Sequence, residues 1–224
     1  MKILNYLAGL ILSAALLLAI VLGFGLHDDL FRRALTQNTD LPQTVAADFA
    51  YDTMSYLSGR QEGWNASAIL EPVGIAPSEA FTRHMAEVRG MVQGGRIALW
   101  GLLTALVLLL TLILPRGRLS SGILCGGLLT PLLLCLLIGA WALLDFDGFW
   151  YRLHTVFIPG GIFSASEPIM KLFPSRLFSS YAVCILPTYL ISVSASVFLT
   201  VRLQNLHRKR KPAHPDCCSR YNQP

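Results

Sequence analysis

Four apolar stretches constrain this chain more than any other feature. They occupy about residues 3–26, 97–115, 119–144 and 182–201, and none has Asp, Glu, Lys or Arg in its interior. Each approaches or exceeds the roughly 20 residues that a helix needs to cross a bilayer. Inside lipid a backbone must satisfy its own hydrogen bonds, so such segments cross as helices. The sequence therefore predicts an α-helical integral membrane protein with four transmembrane helices. The composition agrees: 54% of residues are hydrophobic and 14% charged, against about 25% charged in soluble domains. The first stretch follows Lys2 but outruns the roughly 7–15 apolar residues of a signal peptide, and no A-x-A site follows, so it reads as an uncleaved anchor.

Basic residues set the expected orientation. Lys2, Arg116, Arg118 and the tail residues Arg202, Arg208, Lys209, Arg210, Lys211 and Arg220 place nine cations on one side. The long segment 27–95 instead holds five Arg and nine acids, a net of −4. By the positive-inside rule both termini are expected in the cytoplasm. The chain then divides into transmembrane helix 1 (1–26), an extracytoplasmic cap (27–95), helix 2 (96–115), helix 3 (119–144), an outer interfacial loop (145–181), helix 4 (182–201) and a basic cytoplasmic tail (202–224). The HRKRK run beside the last span suits anionic headgroups rather than nucleic acid. None of the five cysteines lies in the outer segments, so no disulfide framework is expected there. The spacing of His and Cys matches no metal motif; neither a metal nor a cofactor is expected.

Within the cap, 45–59 is patterned as a helix, with Phe49, Met54 and Leu57 on one face and Gly59 as its stop. The stretch 60–77 is mixed, with Trp64, Ile69, Leu70, Val73 and Ile75 as short strand or covering segments. Ser78 is a suitable N-cap with Glu79 in the first turn. The helix that follows puts Phe81, His84, Val88 and Met91 on one stripe, and Gly94 with Gly95 is expected to loosen the chain before the second span. The outer loop is rich in aromatics. A helix begun at Trp150 should break at Pro159, Gly160 and Gly161, and Pro168 and Pro174 should bracket a short turn at 169–173. Gly122, Gly126, Gly127 and Gly139 permit close helix approach, as do Ser192, Ser194 and Ser196. Pro131 and Pro187 could kink their helices.

His84 and His154 are the chemically informative pair. Each lies a few residues from a span, on the same expected side, and imidazole exchanges protons near neutral pH. A polar group on an apolar face is more commonly a hydrogen-bonded core histidine, so the residues alone leave two readings open. One is an enzyme. The other is a non-catalytic four-span scaffold or receptor with an outer partner-binding domain. The spans contain no acid of the kind that ion and proton pathways usually carry.

HMAEVR (84–89), LHTVFIPGG (153–161), LFPSRLF (172–178) and YDTMSYLSG (51–59) together resemble the lipoprotein intramolecular transacylase (Lit) family of bacterial membrane proteins. The resemblance covers most of the chain. Where the family pattern has a tryptophan and an Asp-containing turn after the second histidine, this chain has Ile162–Phe163 and Ser166–Glu167–Pro168. The resemblance implies an O-to-N acyltransferase without cofactor, which acts on S-diacylglyceryl lipoproteins. It would move one acyl chain, taken as the sn-2 chain, to the α-amino group of the N-terminal cysteine and leave the lyso-form. The family's functional histidines fall on His84 and His154.

Ester aminolysis by such a pair would proceed through acid–base catalysis or through an acyl-imidazole. Glu87, three residues beyond His84, could orient its ring. Arg152 and Tyr151 are candidate oxyanion or phosphate-level donors, with Tyr56 and His27 weaker ones. Trp150 and Phe163 would roof the site against water. A monomer in the bacterial cell membrane, with the site on the outer face, is expected.

Overall fold

The structure is a computed structural model that describes residues 2–115, 119–158, 163–164 and 167–210. Expectations placed on Arg116, Arg118, Pro159, Gly160, Gly161, Ile162, Ser166, Lys211 and Arg220 lie outside the described residues, as do the side chains of Arg208, Lys209 and Arg210. Eight α-helices occur among the described residues: α1 (Lys2–Gly25), α2 (Asp28–Asn38), α3 (Gln43–Ser58), α4 (Ala66–Leu70), α5 (Glu79–Ile113), α6 (Ser121–Leu144), α7 (Phe146–Phe157) and α8 (Ser175–Arg210). Four of them, α1, α5, α6 and α8, are long and apolar enough to cross a membrane. The 24 residues of α1 rise about 36 Å, more than the roughly 30 Å hydrocarbon core.

Helix α1 is the hub and packs against α5, α6 and α8. Its crossing with α6 depends on small residues from both helices. A Cβ on Gly9 would run into the Leu124 carbonyl oxygen, and one on Gly127 into the Tyr6 carbonyl oxygen. Gly127 thus has the close-approach role read from sequence, whereas Gly122 has nothing within 4 Å. Ser13, buried at the centre of the bundle, finds partners within it, as lipid demands. Ser13 Oγ donates to the Leu128 carbonyl at 2.8 Å and lies 2.6 Å from the Tyr189 hydroxyl. Ser192 and Ser196 bond back to carbonyls of their own helix rather than across it.

Helix α5 serves two regions. Its first half carries Glu79, Arg83, Glu87, Arg89 and Arg96 and packs on the cap; beyond Arg96 it is uncharged and forms the span. Gly94 and Gly95 do not loosen it, because the helix runs unbroken through both. Gly95 faces Leu18 and Leu22 of α1.

The cap is α2, α3, α4 and the first half of α5 around a shared apolar core that includes Phe31, Leu35, Phe49, Leu70 and Phe81. Gly59 ends α3 at φ 79°, in the left-handed region that favours glycine. The last carbonyls of α3 are then satisfied from α5: Gln93 donates to Leu57 O at 3.1 Å and Arg96 to Ser58 O at 2.6 Å. The stretch 60–77 forms no strand. Ala66 and Leu70, four apart, are its buried pair, which is the period of helix α4, and a 3₁₀ turn follows at Glu71–Val73. The turn bracketed by Pro168 and Pro174 is also 3₁₀, at Pro168–Leu172, with Ile169 and Leu172 buried in the cap core.

Candidate active site

His84 reaches the site from the first turns of α5, whose start is fixed by Ser78. The Ser78 hydroxyl oxygen accepts from Phe81 N at 3.1 Å and donates to Glu167 Oε2 at 3.2 Å. One helix terminus is thereby tied to the loop that follows α7. His154 comes from α7, which starts before Trp150 because the Asp145 carboxylate caps it, accepting from Gly148 N at 2.9 Å. The two imidazoles meet with ring centroids 6.0 Å apart.

Aromatic rings fix both histidines. His84 is held edge-on by Phe81 at 5.8 Å and Phe163 at 5.3 Å, and Phe81 in turn packs on Phe173 at 5.5 Å. His154 lies 4.5 Å from Trp150, which stacks on Phe178 of α8 at 4.2 Å. His154 Nδ1 is 3.0 Å from the Trp150 carbonyl oxygen. A carbonyl only accepts, so this contact places a proton on Nδ1.

His84 is 8% exposed and its Nδ1 has no hydrogen-bond partner among the described residues. Glu87 Oε2 lies 3.9 Å from that nitrogen, a distance of electrostatic influence rather than a hydrogen bond. Burial pushes the His84 imidazole below its ordinary pKa, His154 pushes the same way, and Glu87 opposes both. At neutral pH His84 is therefore a neutral imidazole.

Both histidines line a cavity of about 1280 Å³ whose wall is almost entirely apolar. It is bounded by α1, α5, α6, α7 and α8 and reaches Cys135 and Tyr189 within the bundle. On α8 its lining runs from Leu177 to Tyr189, a helical rise of about 18 Å. The shape is a deep apolar slot with two proton-exchanging groups in its wall. Among the described residues no cluster of three or more His, Cys, Asp or Glu could hold a metal ion.

Of the other residues nominated from sequence, Trp150, Tyr151 and Phe163 line the cavity, with Tyr151 56% exposed. Glu87 stands beside His84, while Arg152 is exposed and is not among the lining residues. Tyr56 lies in the cap core beneath the Arg89 guanidinium, 4.6 Å from its ring centre. His27 caps α2, its Nδ1 accepting from Leu30 N at 3.4 Å. Sequence reasoning missed Phe178, Phe173 and Tyr181 as parts of the wall. The LFPSRLF motif was the available signal for the first two.

Comparisons with known proteins can be set beside this geometry. The model of the family described as lipoprotein intramolecular transacylase Lit matches residues 2–178. In fold the chain is similar to the membrane integral lipoprotein intramolecular transacylase Lit from Bacillus cereus, with a TM-score of 0.65, 16% identity, and coverage of 94% of this chain and 95% of that one. A comparison with curated proteins gives no match. The family match takes in the cap, three of the four spans and both histidines, so the chain belongs to the lipoprotein intramolecular transacylase Lit family and is an acyl-transfer enzyme of the membrane that acts on lipoproteins.

Proposed function

We propose that the protein moves the sn-2 acyl chain of an S-diacylglyceryl lipoprotein, from oxygen to nitrogen, onto the α-amino group of the same N-terminal cysteine. The product is lyso-form lipoprotein. The reaction takes place at the outer face of the bacterial cell membrane, both termini are cytoplasmic, and the protein acts as a monomer. The observation that carries this reading is the imidazole pair, 6.0 Å apart in the wall of a deep apolar cavity.

An α-amino group has a pKa of about 7.7–8.0, so at neutral pH much of it is protonated and unreactive. A neutral imidazole must take its proton, and a protonated one must supply the leaving glycerol oxygen. His84 and His154 divide these duties, and the lowered affinity of His84 for a proton suits the base. Trp150, Phe163 and Tyr151 contact the lipid near its ester, and Glu87 orients the His84 ring. Arg152 contacts the headgroup region from outside the cavity. The apolar slot along α8 takes an acyl chain lengthwise. Donor and acceptor share one molecule, so binding has mainly to fold the headgroup back on itself. Keeping water from the ester prevents hydrolysis to free fatty acid.

The test is mass spectrometry of the N-terminal lipopeptide of a lipoprotein co-expressed with this protein, in a host that lacks N-acylation. An acyl chain relocated from glycerol to the amine at unchanged total mass is expected, and His84→Ala or His154→Ala should abolish it in folded protein. Unaltered diacylglyceryl-cysteine beside folded wild-type protein would refute the reading.

A further inference from the structure

The transfer proposed above needs three things from the protein: a base, an acid, and a donor for the negative charge that develops on the ester carbonyl oxygen. Two imidazoles supply the first two. The third must be a hydrogen-bond donor within the same cavity that is not already engaged.

Most polar groups of the cavity wall are engaged. The Tyr189 hydroxyl lies 2.6 Å from Ser13 Oγ. Ser179 Oγ donates to the Arg176 carbonyl at 3.0 Å. Tyr151 is largely exposed. Tyr181 differs from all of these. It lines the same cavity as the two histidines, its hydroxyl oxygen is buried, and among the described residues it has no hydrogen-bond partner. A buried hydroxyl without a partner is a net destabilisation, and such groups concentrate where a ligand completes the bonding.

The backbone also places it suitably. Tyr181 is three residues beyond Phe178, on the same face of α8, and, like Phe163 and Phe173, packs against the apolar core of the cap. Phe178 stacks on Trp150, which packs on His154. The phenol thus stands on the same helix as the ring that braces Trp150 against the second histidine. It lies just past the segment matched by the family model, which ends at residue 178.

We infer that Tyr181 is a catalytic residue that donates its hydroxyl proton in a hydrogen bond to the ester carbonyl oxygen as the amine adds. The C–N bond forms while the carbonyl π pair moves onto oxygen, and the resulting oxyanion accepts from Tyr181. When that pair returns, the bond from the acyl carbon to the glycerol oxygen breaks. The amine proton passes to one imidazole and the released alkoxide takes its proton from the other, so the pair gains one proton and loses one. Ester and amine become amide and alcohol, nothing is oxidised or reduced, and Tyr181 keeps its proton throughout. The role rests on the transfer reading and extends it to a named group.

The experiment uses full-length protein in detergent with a synthetic S-diacylglyceryl-cysteinyl lipopeptide, with kcat and KM followed by mass spectrometry. Tyr181→Phe removes only the hydroxyl. Expected is a fall in kcat of roughly 100- to 1000-fold, with KM near the wild-type value and a Tm equal to or above it. A kcat within threefold of wild type overturns the role, and so does a loss of kcat that accompanies a lowered Tm. Fluorotyrosine at position 181, which keeps the packing and makes the phenol a stronger donor, should alter kcat; an unchanged rate again overturns it. Absence of transfer by wild-type protein would instead remove the reading beneath it.

Discussion

Asp52 offers a perturbation far from the reacting atoms whose effect follows from the structure. It is 6% exposed on α3. Its Oδ1 accepts from Gln61 Nε2 at 2.6 Å and from Asn65 Nδ2 at 3.3 Å, and its Oδ2 accepts from Asn65 N at 3.0 Å. The carboxylate therefore pins the turn that carries Trp64. That indole packs on Phe81 at 5.9 Å, and Phe81 is a wall of the His84 pocket. Hydrogen bonds to a charged acceptor contribute about 1.5–3 kcal/mol each. Asp52→Ala removes three, but the Gln61 and Asn65 side chains can turn to water, and only the Asn65 N–H is left without an easy substitute. A net loss of about 2–4 kcal/mol in the local stability of the turn results. At tenfold per 1.4 kcal/mol, amide exchange across residues 60–70 should accelerate by about 30- to 700-fold. Hydrogen exchange read by mass spectrometry in detergent measures this directly. Asp52→Asn, which keeps an acceptor for Asn65 N but turns a donor toward Gln61, should show a smaller acceleration. Exchange within threefold of wild type in Asp52→Ala would refute the claim that this carboxylate holds the Trp64 turn.

Three further outcomes are expected. His84 binds its proton more weakly in the folded protein than the ordinary imidazole pKa of 6.5, so folded protein holds fewer protons than unfolded between the two values. Its stabilising contribution is present above pH 6.5 and is lost as pH falls through the depressed value; NMR titration of labelled histidines should place His84 below 6.5, and a midpoint above it would contradict the burial argument. At the α1–α6 crossing, Gly127→Ala should destabilise by about 1–3 kcal/mol, because a backbone carbonyl is a poor partner to displace. Thermal unfolding should show a lowered Tm for it and none for Gly122→Ala, which meets nothing. Finally, Cys135→Phe fills the deep end of the cavity, so competition among lipopeptides of different chain length should shift toward shorter acyl groups. An unchanged preference would show that the chain does not extend to that depth.

The architecture was legible because lipid imposes few solutions. Length and apolarity alone marked the four crossing helices, and Ser78, Gly59 and the Phe81–His84 stripe marked how the cap meets the second of them. Legibility failed where tertiary contact overrode local preference. Gly94 and Gly95 look like a break, yet α5 passes through them against Leu18 and Leu22. Gly9 reads as one more small residue in an apolar run, and only the partner helix shows that a Cβ there would strike a carbonyl. At the site, charge placed the two histidines on one side of the membrane but said nothing of a 6.0 Å separation. That distance depends on α7 folding back under its Asp145 cap and on rings contributed by α8, far away in sequence. Tyr181 carries no sequence signal, since an interfacial tyrosine looks the same whether or not its hydroxyl has a partner.

On the proposed reading the cap and the loop after α7 belong to the catalytic apparatus rather than to its surroundings. His84 stands on a helix long enough to be rigid, so its position is set by α5 against α1 and the cap. His154 stands on a 12-residue helix without a buried residue of its own, which is too short to be stable alone in water. What holds α7 is the Asp145 cap at one end and, along its face, the stack from Phe146 through Trp150 to Phe178. Loss of that stack would release His154 while the bundle stays intact. The proposed aminolysis needs both imidazoles within reach of one tetrahedral centre, and a misplacement of about 1 Å can cost on the order of 100-fold in rate. Trp150 therefore has two duties, contact with His154 and stacking on Phe178. Trp150→Leu, which keeps apolarity but removes the stack, should lower transfer far more than it lowers the unfolding temperature.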